Sequence, residues 1–359
     1  MRGEESTEAF EAPFYSDAIV TGHMPAKRPC PYSFLNAGPY QRDGRIEHAV
    51  TLRVQYHLTH ESMRSTEATD TSRYHGGTLV DEIASLAALT MGCRIRSGGI
   101  TRMFWPEDPL GRPQADSDIP SLPPRRRRAA LLRRARGEHN LNGSLLPLLD
   151  SYPRIAPVQA TSLVRAARLY SDALWIVESD PQLAWLFLVS ALEAVATPIH
   201  VQTANAKDVF CATYSDLAKT LDTSGGDSLV ETVATRLLPL MKSTARFINF
   251  VLAHLPEPLE PRPHPNMQLD WSASSMKKHL SKIYELRSRA LHDGTPFPEP
   301  MCDAQPLPSE VPVGYGMGTK GGYWLREDTP MLLDTFEHIT RGALLRWWSS
   351  IAEAAGPPD

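Results

Sequence analysis

Pro181-Gln182-Leu183-Ala184-Trp185-Leu186-Phe187-Leu188-Val189-Ser190-Ala191-Leu192-Glu193-Ala194-Val195 is apolar almost all the way round. The proline suits the first turn of a helix, where a missing N–H costs nothing. A surface helix carries one apolar stripe, whereas a helix that is apolar on every side lies inside a bundle. This segment is therefore read as the central helix of a helical domain. Glu193, an acid in an otherwise apolar run, stands out as a residue with a task.

Helical spacing continues on both sides. Leu163, Ala166, Ala167, Tyr170, Leu174 and Val177 define a preceding amphipathic helix. Leu229, Val233, Leu237, Met241, Ala245, Ile248 and Leu252 define a following one, with Pro239 expected to kink it. A proline-rich loop at 256–265 comes next. Met276, Leu280, Ile283, Tyr284 and Leu291 then mark another helix, stopped by Gly294 and Pro296. Met331, Leu332, Phe336, Ile339, Trp347 and Ile351 supply a closing helix. The expectation is a bundle of about five helices over residues 159–359.

The N-terminal part reads differently. Val50, Leu52, Val54, Tyr56 and Leu58 alternate with polar residues at the period of a half-buried strand. Thr78-Leu79-Val80-Asp81 resembles a capping box, opening a helix that runs to Met91. Cys93-Arg94-Ile95-Arg96 and Ile100-Thr101-Arg102-Met103-Phe104 flank Ser97-Gly98-Gly99 as the arms of an expected hairpin, with its arginines on a wet sheet face. The fold class is α+β: a mixed domain at 1–119, a Pro/Arg-rich linker at 120–158 and the helical bundle at 159–359.

That linker holds Arg125, Arg126, Arg127, Arg128, Arg133, Arg134 and Arg136, with no acid before Glu138. Such a tract either grips a nucleic-acid backbone or is a solvated hinge. Elsewhere the chain is mildly acidic, with net charge −4 and pI near 6.3, so RNA binding is local rather than global. Cys30, Cys93, Cys211 and Cys302 are scattered without a CxxC pair, which indicates neither a zinc site nor a disulfide framework. The acidic first residues and the lack of a run of about eighteen apolar residues lead to an expectation of a cytoplasmic protein with no membrane span. No cofactor and no metal are expected; His57, His60 and Glu61 have no third ligand placed by the sequence.

Tyr284-Glu285-Leu286-Arg287-Ser288-Arg289-Ala290-Leu291-His292-Asp293-Gly294 carries the chemistry. An arginine that keeps its charge can hold a phosphate and its transition state. An imidazole titrating near neutrality can move the proton. Positions five apart lie about 140° apart around a helix axis. Arg287 and His292 therefore meet at one phosphate only if the helix end loosens or a second copy faces the first. Ser288 lies one turn below His292. Arg and His near a helix C-terminus also simply complement its dipole, so the six residues alone leave catalysis and capping both open.

Arg287-Ser288-Arg289-Ala290-Leu291-His292 resembles the R-x4-6-H motif of the HEPN superfamily of helical ribonucleases. Ala191-Leu192-Glu193-Ala194, followed by Tyr-x-x-Arg-Ser and Leu-His-x-Gly, is similar to the ApeA-like HEPN branch linked to bacterial antiphage defence. The likeness spans about residues 159–355. It implies metal-independent endonucleolytic RNA cleavage by attack of the substrate 2′-hydroxyl, in a homodimer whose two motifs share a cleft. Arg287 and His292 match the catalytic pair. Ser288 takes the polar position after the arginine, where the superfamily more often has Asn, Asp or His. Glu193 matches an acidic position on the preceding central helix, oriented toward Arg287 or Arg289. Arg289 and Arg125 to Arg128 are the expected RNA contacts. A regulatory partner protein or an activating ligand is the expected control. The alternative is a non-catalytic HEPN-like module binding RNA, nucleotide or a partner. A helix-registering salt bridge would account for Glu193 equally well.

Gly225-Gly226-Asp227-Ser228-Leu229 resembles a carrier-protein serine site but reads as a capping box through Ser228 and Glu231. The glycine run 314–322 lacks the order of a phosphate-binding loop and reads as a mobile loop.

Overall fold

The computed structural model describes residues 7–25, 31–37, 44–57, 69–114, 118–125, 130–132, 134, 135, 137–142, 146–196, 205–312, 317–319 and 321–356. Its first part is an antiparallel sheet. The strands are β1 (Thr7–Ser16), β2 (Ile19–Thr21), β3 (His23–Met24), β4 (Tyr32–Asn36) and β5 (Glu47–His57); after helix α1 (Leu79–Met91) come β6 (Arg96–Ser97), β7 (Arg102–Trp105), β8 (Asp108–Pro113) and β9 (Glu138–Asn140). The main sheet runs β3-β4-β5-β1-β7-β8, with β6 also on β1, while β2 and β9 pair in parallel. Alternation sets its two faces. Phe10, Ala12 and Phe14 of β1 and Val50, Leu52 and Val54 of β5 are buried. On the other face Arg53 donates to Glu11 at 3.3 Å, directly across the register.

Helix α1 closes onto the apolar face. Thr78 and Asp81 form the expected reciprocal capping box, and Val80, Ile83, Leu86 and Leu89 are buried in the same apolar cluster as the strands. The expected hairpin across Ser97-Gly98-Gly99 does not form. β6 and β7 both pair with β1, and the tight hairpin is β7–β8. Gly98 donates to the Pro13 carbonyl at 2.9 Å, and a Cβ there would lie 2.5 Å from the Tyr15 ring, so the glycine serves close passage over β1.

The three arginines are not gathered on a wet face either. Arg96 reaches Asp172 at 2.6 Å, and Arg102 donates to the carbonyls of Leu110 and Gly111. Arg94 is fully buried. It donates to Asp17 at 2.7 Å and to the Leu174 carbonyl at 2.6 Å, and it lies 3.5 Å from Glu178. A buried guanidinium persists only when paired in this way.

The second part is helical: α2 (Pro157–Ile176), α3 (Pro181–Ala196), α4 (Ala206–Thr213), α5 (Ser215–Ala253) and α6 (Ala273–His292), then the hairpin β10 (Met317–Thr319) and β11 (Gly322–Trp324), then α7 (Leu333–Ala354). Helix α3 packs against α2, α5, α6 and α7. That accounts for its apolar circumference. Trp185 at its centre is stacked between Phe297, at 5.2 Å, and Phe336, at 4.7 Å. Helix α5 starts at Ser215 and breaks at Gly226 (φ 66°, ψ −173°), where the sequence had pointed to Pro239. Only glycine populates that backbone region freely, and the helical assignment continues through Pro239. The α4–α5 hairpin has its own small core of Phe210, Ala218, Val230 and Ala234.

One apolar cluster runs from the sheet through α1 into α2, α3, α6 and α7. Positions 119 and 158 are changes of composition, and the core crosses both. Within the basic tract Leu131, Leu132 and Ala135 are buried, and Arg134 donates to the Asp334 carbonyl at 3.1 Å. This part of the expected linker is docked on the helices. Arg126 to Arg128, His60 and Glu61 lie outside the described residues, as do 313–316 and Lys320 of the glycine-rich run. Among the described residues no helix is long and apolar enough to cross a membrane.

Candidate functional site

Helix α6 carries most of the motif. Ser272 caps its N-terminus by accepting from the Ser275 amide at 3.4 Å. Met276, Leu280, Ile283 and Leu286 form the buried stripe. Leu291, expected on that stripe, is 50% exposed, because the last turn of α6 projects past the core. His292 ends the helix in an exposed position, and the Asp293 amide closes the turn on the Arg289 carbonyl at 2.9 Å.

One turn behind, α6 faces α3. Arg287 Nη2 donates to Glu193 Oε2 at 2.7 Å, and the Tyr284 hydroxyl donates to Glu193 Oε1 at 2.9 Å. The Arg287 guanidinium also lies over the Tyr284 ring, 5.6 Å from its centre. Phe247 of α5 packs against that ring at 5.3 Å. Both ionic side chains are about one-fifth exposed, so their attraction is screened far less than on an open surface. Burial, then the neighbouring Glu193 charge, push the Tyr284 hydroxyl up to about 12. It therefore stays protonated and keeps donating.

Arg287 has further capacity. Its contact with Glu193 uses one terminal nitrogen, and its Nε is buried without an acceptor. A guanidinium has five N–H donors, so this one can still grip an oxyanion. Ser288 is half-buried; Arg289 is exposed, with Glu285 at 4.0 Å; and Arg125 is exposed. The structure thus brings Glu193 to Arg287 rather than to Arg289. It joins His292 to neither Arg287, Ser288 nor Glu193 among the described residues.

Tyr284 is the member to which sequence reasoning gave no role at the site: it entered as a core position of α6 and as the tyrosine of Tyr-x-x-Arg-Ser. The signal was its spacing of three from Arg287, which puts both on one helix face. A cavity of 1010 Å³ lies elsewhere, between Ala130, Leu131 and Arg134, the loops around Pro261 and Pro308, and the start of α7, and none of the motif residues lines it. Compared with protein-family models, with curated proteins and with solved structures, this chain matches none of them.

Proposed function

We propose that this protein is an endoribonuclease of the HEPN type, acting without a metal, with Arg287 and His292 as its catalytic pair. The observation that carries the reading is the Glu193–Tyr284–Arg287 cluster: a half-buried, pre-aimed guanidinium five residues before an exposed histidine on the same helix. Arg287 holds the scissile phosphate and the negative charge that builds on it, an electrostatic contribution that usually dominates such reactions. The RNA 2′-oxygen gives up its proton and bonds to phosphorus, the bond to the 5′-oxygen breaks, and that oxygen takes a proton. His292 exchanges these protons. Glu193 and Tyr284 position Arg287, and Ser288 and Arg289 flank the strand.

About 140° of helix separates Arg287 from His292, which favours a homodimer in which each copy completes the other's site. The exposed Leu291 beside His292 is the apolar contact such a dimer would cover. Arg125 to Arg128 extend the grip on RNA. A role in bacterial antiphage defence or as a toxin, held in check by a partner or awaiting a ligand, follows from the family resemblance. A second reading, a non-catalytic module binding RNA, nucleotide or a partner, draws support from the neutralisation of Arg287 by Glu193.

The test is cleavage of total cellular RNA by purified protein in EDTA, comparing wild type with Arg287→Ala and His292→Ala at matched folding and dimer content. Products with 2′,3′-cyclic phosphate ends, lost in both variants, are expected. Cleavage unchanged in both variants overturns the assignment. RNA binding without cleavage, weakened by Arg287→Ala, selects the second reading.

A further inference from the structure

A second cationic site lies on α2, on different residues from the α3–α6 cluster. The loop 69–77 is held against this helix by Arg165, whose Nε donates to the Tyr74 carbonyl at 2.8 Å and whose Nη2 donates to the Thr71 carbonyl at 3.1 Å. Arg168, one turn on, donates from Nη1 to the His75 carbonyl at 2.6 Å. Arg73 stands exposed on the same loop. None of these three arginines has a carboxylate ion-pair partner among the described residues. The neighbouring acids each have a hydrogen-bond or ion-pair partner of their own, although Asp81 and Asp172 also feel the charge of Arg168 and Asp70 that of Arg73. Asp81 caps α1 and accepts from Ser97, Glu82 takes His75 and Tyr152, and Asp172 takes Arg96. Asp70 is exposed and accepts from the Ser72 amide at 2.8 Å. The result is a patch in which the Arg165 and Arg168 guanidinium groups are oriented by backbone carbonyls, with N–H donors left over.

The patch borders an open cleft of 570 Å³ lined by Thr71, Tyr74, His75, Gly76, Arg165 and Arg168. Tyr74 is 69% exposed beside it, an unusual position for a large ring whose backbone is so firmly held. A flat aromatic face next to oriented arginines is the combination that takes a base by stacking and its phosphate by charge-assisted hydrogen bonds.

We propose that this cleft binds a nucleotide unit, with Tyr74 stacking on the base and Arg165 and Arg168 holding the phosphate. The unit comes either from a free nucleotide or from an RNA strand. Because the loop is already clamped, binding needs little reordering.

Calorimetric titration of the full-length protein with AMP, adenosine, inorganic phosphate and a 2′-O-methyl oligoadenylate ten-mer tests this. AMP is expected to bind more tightly than either adenosine or phosphate. Tyr74→Ala is expected to weaken AMP about tenfold while leaving phosphate unchanged, and Tyr74→Phe to restore it. Arg165→Gln and Arg168→Gln should weaken both AMP and phosphate. Hydrogen exchange over 69–77 shows whether each variant keeps its loop. A ten-mer much tighter than AMP identifies an RNA strand as the source; equal affinities identify the free nucleotide. No AMP binding, or AMP binding indifferent to Tyr74→Ala with the loop intact, overturns the proposal. RNA cleavage through Arg287 is a separate readout that can fail or succeed without affecting this one.

Discussion

Tyr284 shows how much a single hydroxyl contributes to a charged cluster. It satisfies one oxygen of Glu193 while Arg287 takes the other, so the carboxylate has a fixed plane and the guanidinium a fixed direction. Tyr284→Phe keeps the ring under Arg287 and against Phe247 and removes only this donor. The expected loss is about 1.5 kcal/mol of stability, at the lower end for a hydrogen bond to a charged group because the pair is partly exposed. If Arg287 is catalytic, kcat should fall severalfold with less change in KM, and unchanged kcat would make Tyr284 purely structural. Titration offers an independent measure. The folded hydroxyl is raised from 10.0 to about 12, so its stabilising contribution is complete below pH 10 and is lost as pH rises toward 12. Following tyrosinate absorbance, the variant should lack a late-ionising tyrosine, and its stability should fall less steeply across that window.

At the scale of elements, α5 consists of two helices joined at one glycine. Gly226 has a backbone that side chains rarely adopt, although a Cβ there would meet nothing within 4 Å. Gly226→Ala is therefore a pure conformational perturbation, expected to cost about 1–3 kcal/mol. The α4–α5 hairpin rests on its own small cluster, so the cost should appear as faster hydrogen exchange in α4 and the first half of α5 with α3 and α6 unaffected. Protection lost evenly across the helices would tie that hairpin to the main core. The same helix shows what the sequence can and cannot convey. Periodicity places α1, α3, α6 and α7 to within about three residues, because burial repeats locally every turn. The expected cap at Ser228 starts a helix just after Gly226, but periodicity does not show the second helix that leads into this glycine from Ser215. Nor does it reveal Arg94, whose ion-pair partner Asp17 is 77 residues away. The Glu193–Arg287 pair was anticipated on a different ground: the family resemblance set Glu193 against Arg287 or Arg289, and an acid on an otherwise apolar helix also suits a salt bridge between helices.

Across the whole molecule, Arg94 ties together the end of β1 through Asp17, the last turn of α2 through the Leu174 carbonyl, and Glu178 just beyond it. Glu178 in turn accepts from the Leu131 amide at 3.3 Å, drawing in the middle of the basic tract. Sheet, helices and tract thus meet at one buried charge, inside the apolar cluster that both parts share. Arg94→Met keeps the bulk of the side chain and leaves Asp17 and Glu178 without their buried cation. A cost of about 3–5 kcal/mol is expected, since breaking a buried pair from one side strands its partner. Arg94→Met combined with Asp17→Asn should recover part of it, because one stranded charge is then gone. The distribution of the loss is as informative as its size. If the chain unfolds as one unit, hydrogen exchange in β1 and β5 should accelerate in step with that in α2 and α3, and denaturation should remain a single transition. If the sheet loosens while α3 and α6 keep their protection, the composition changes at 119 and 158 mark independent domains, and Arg94 only fastens one to the other.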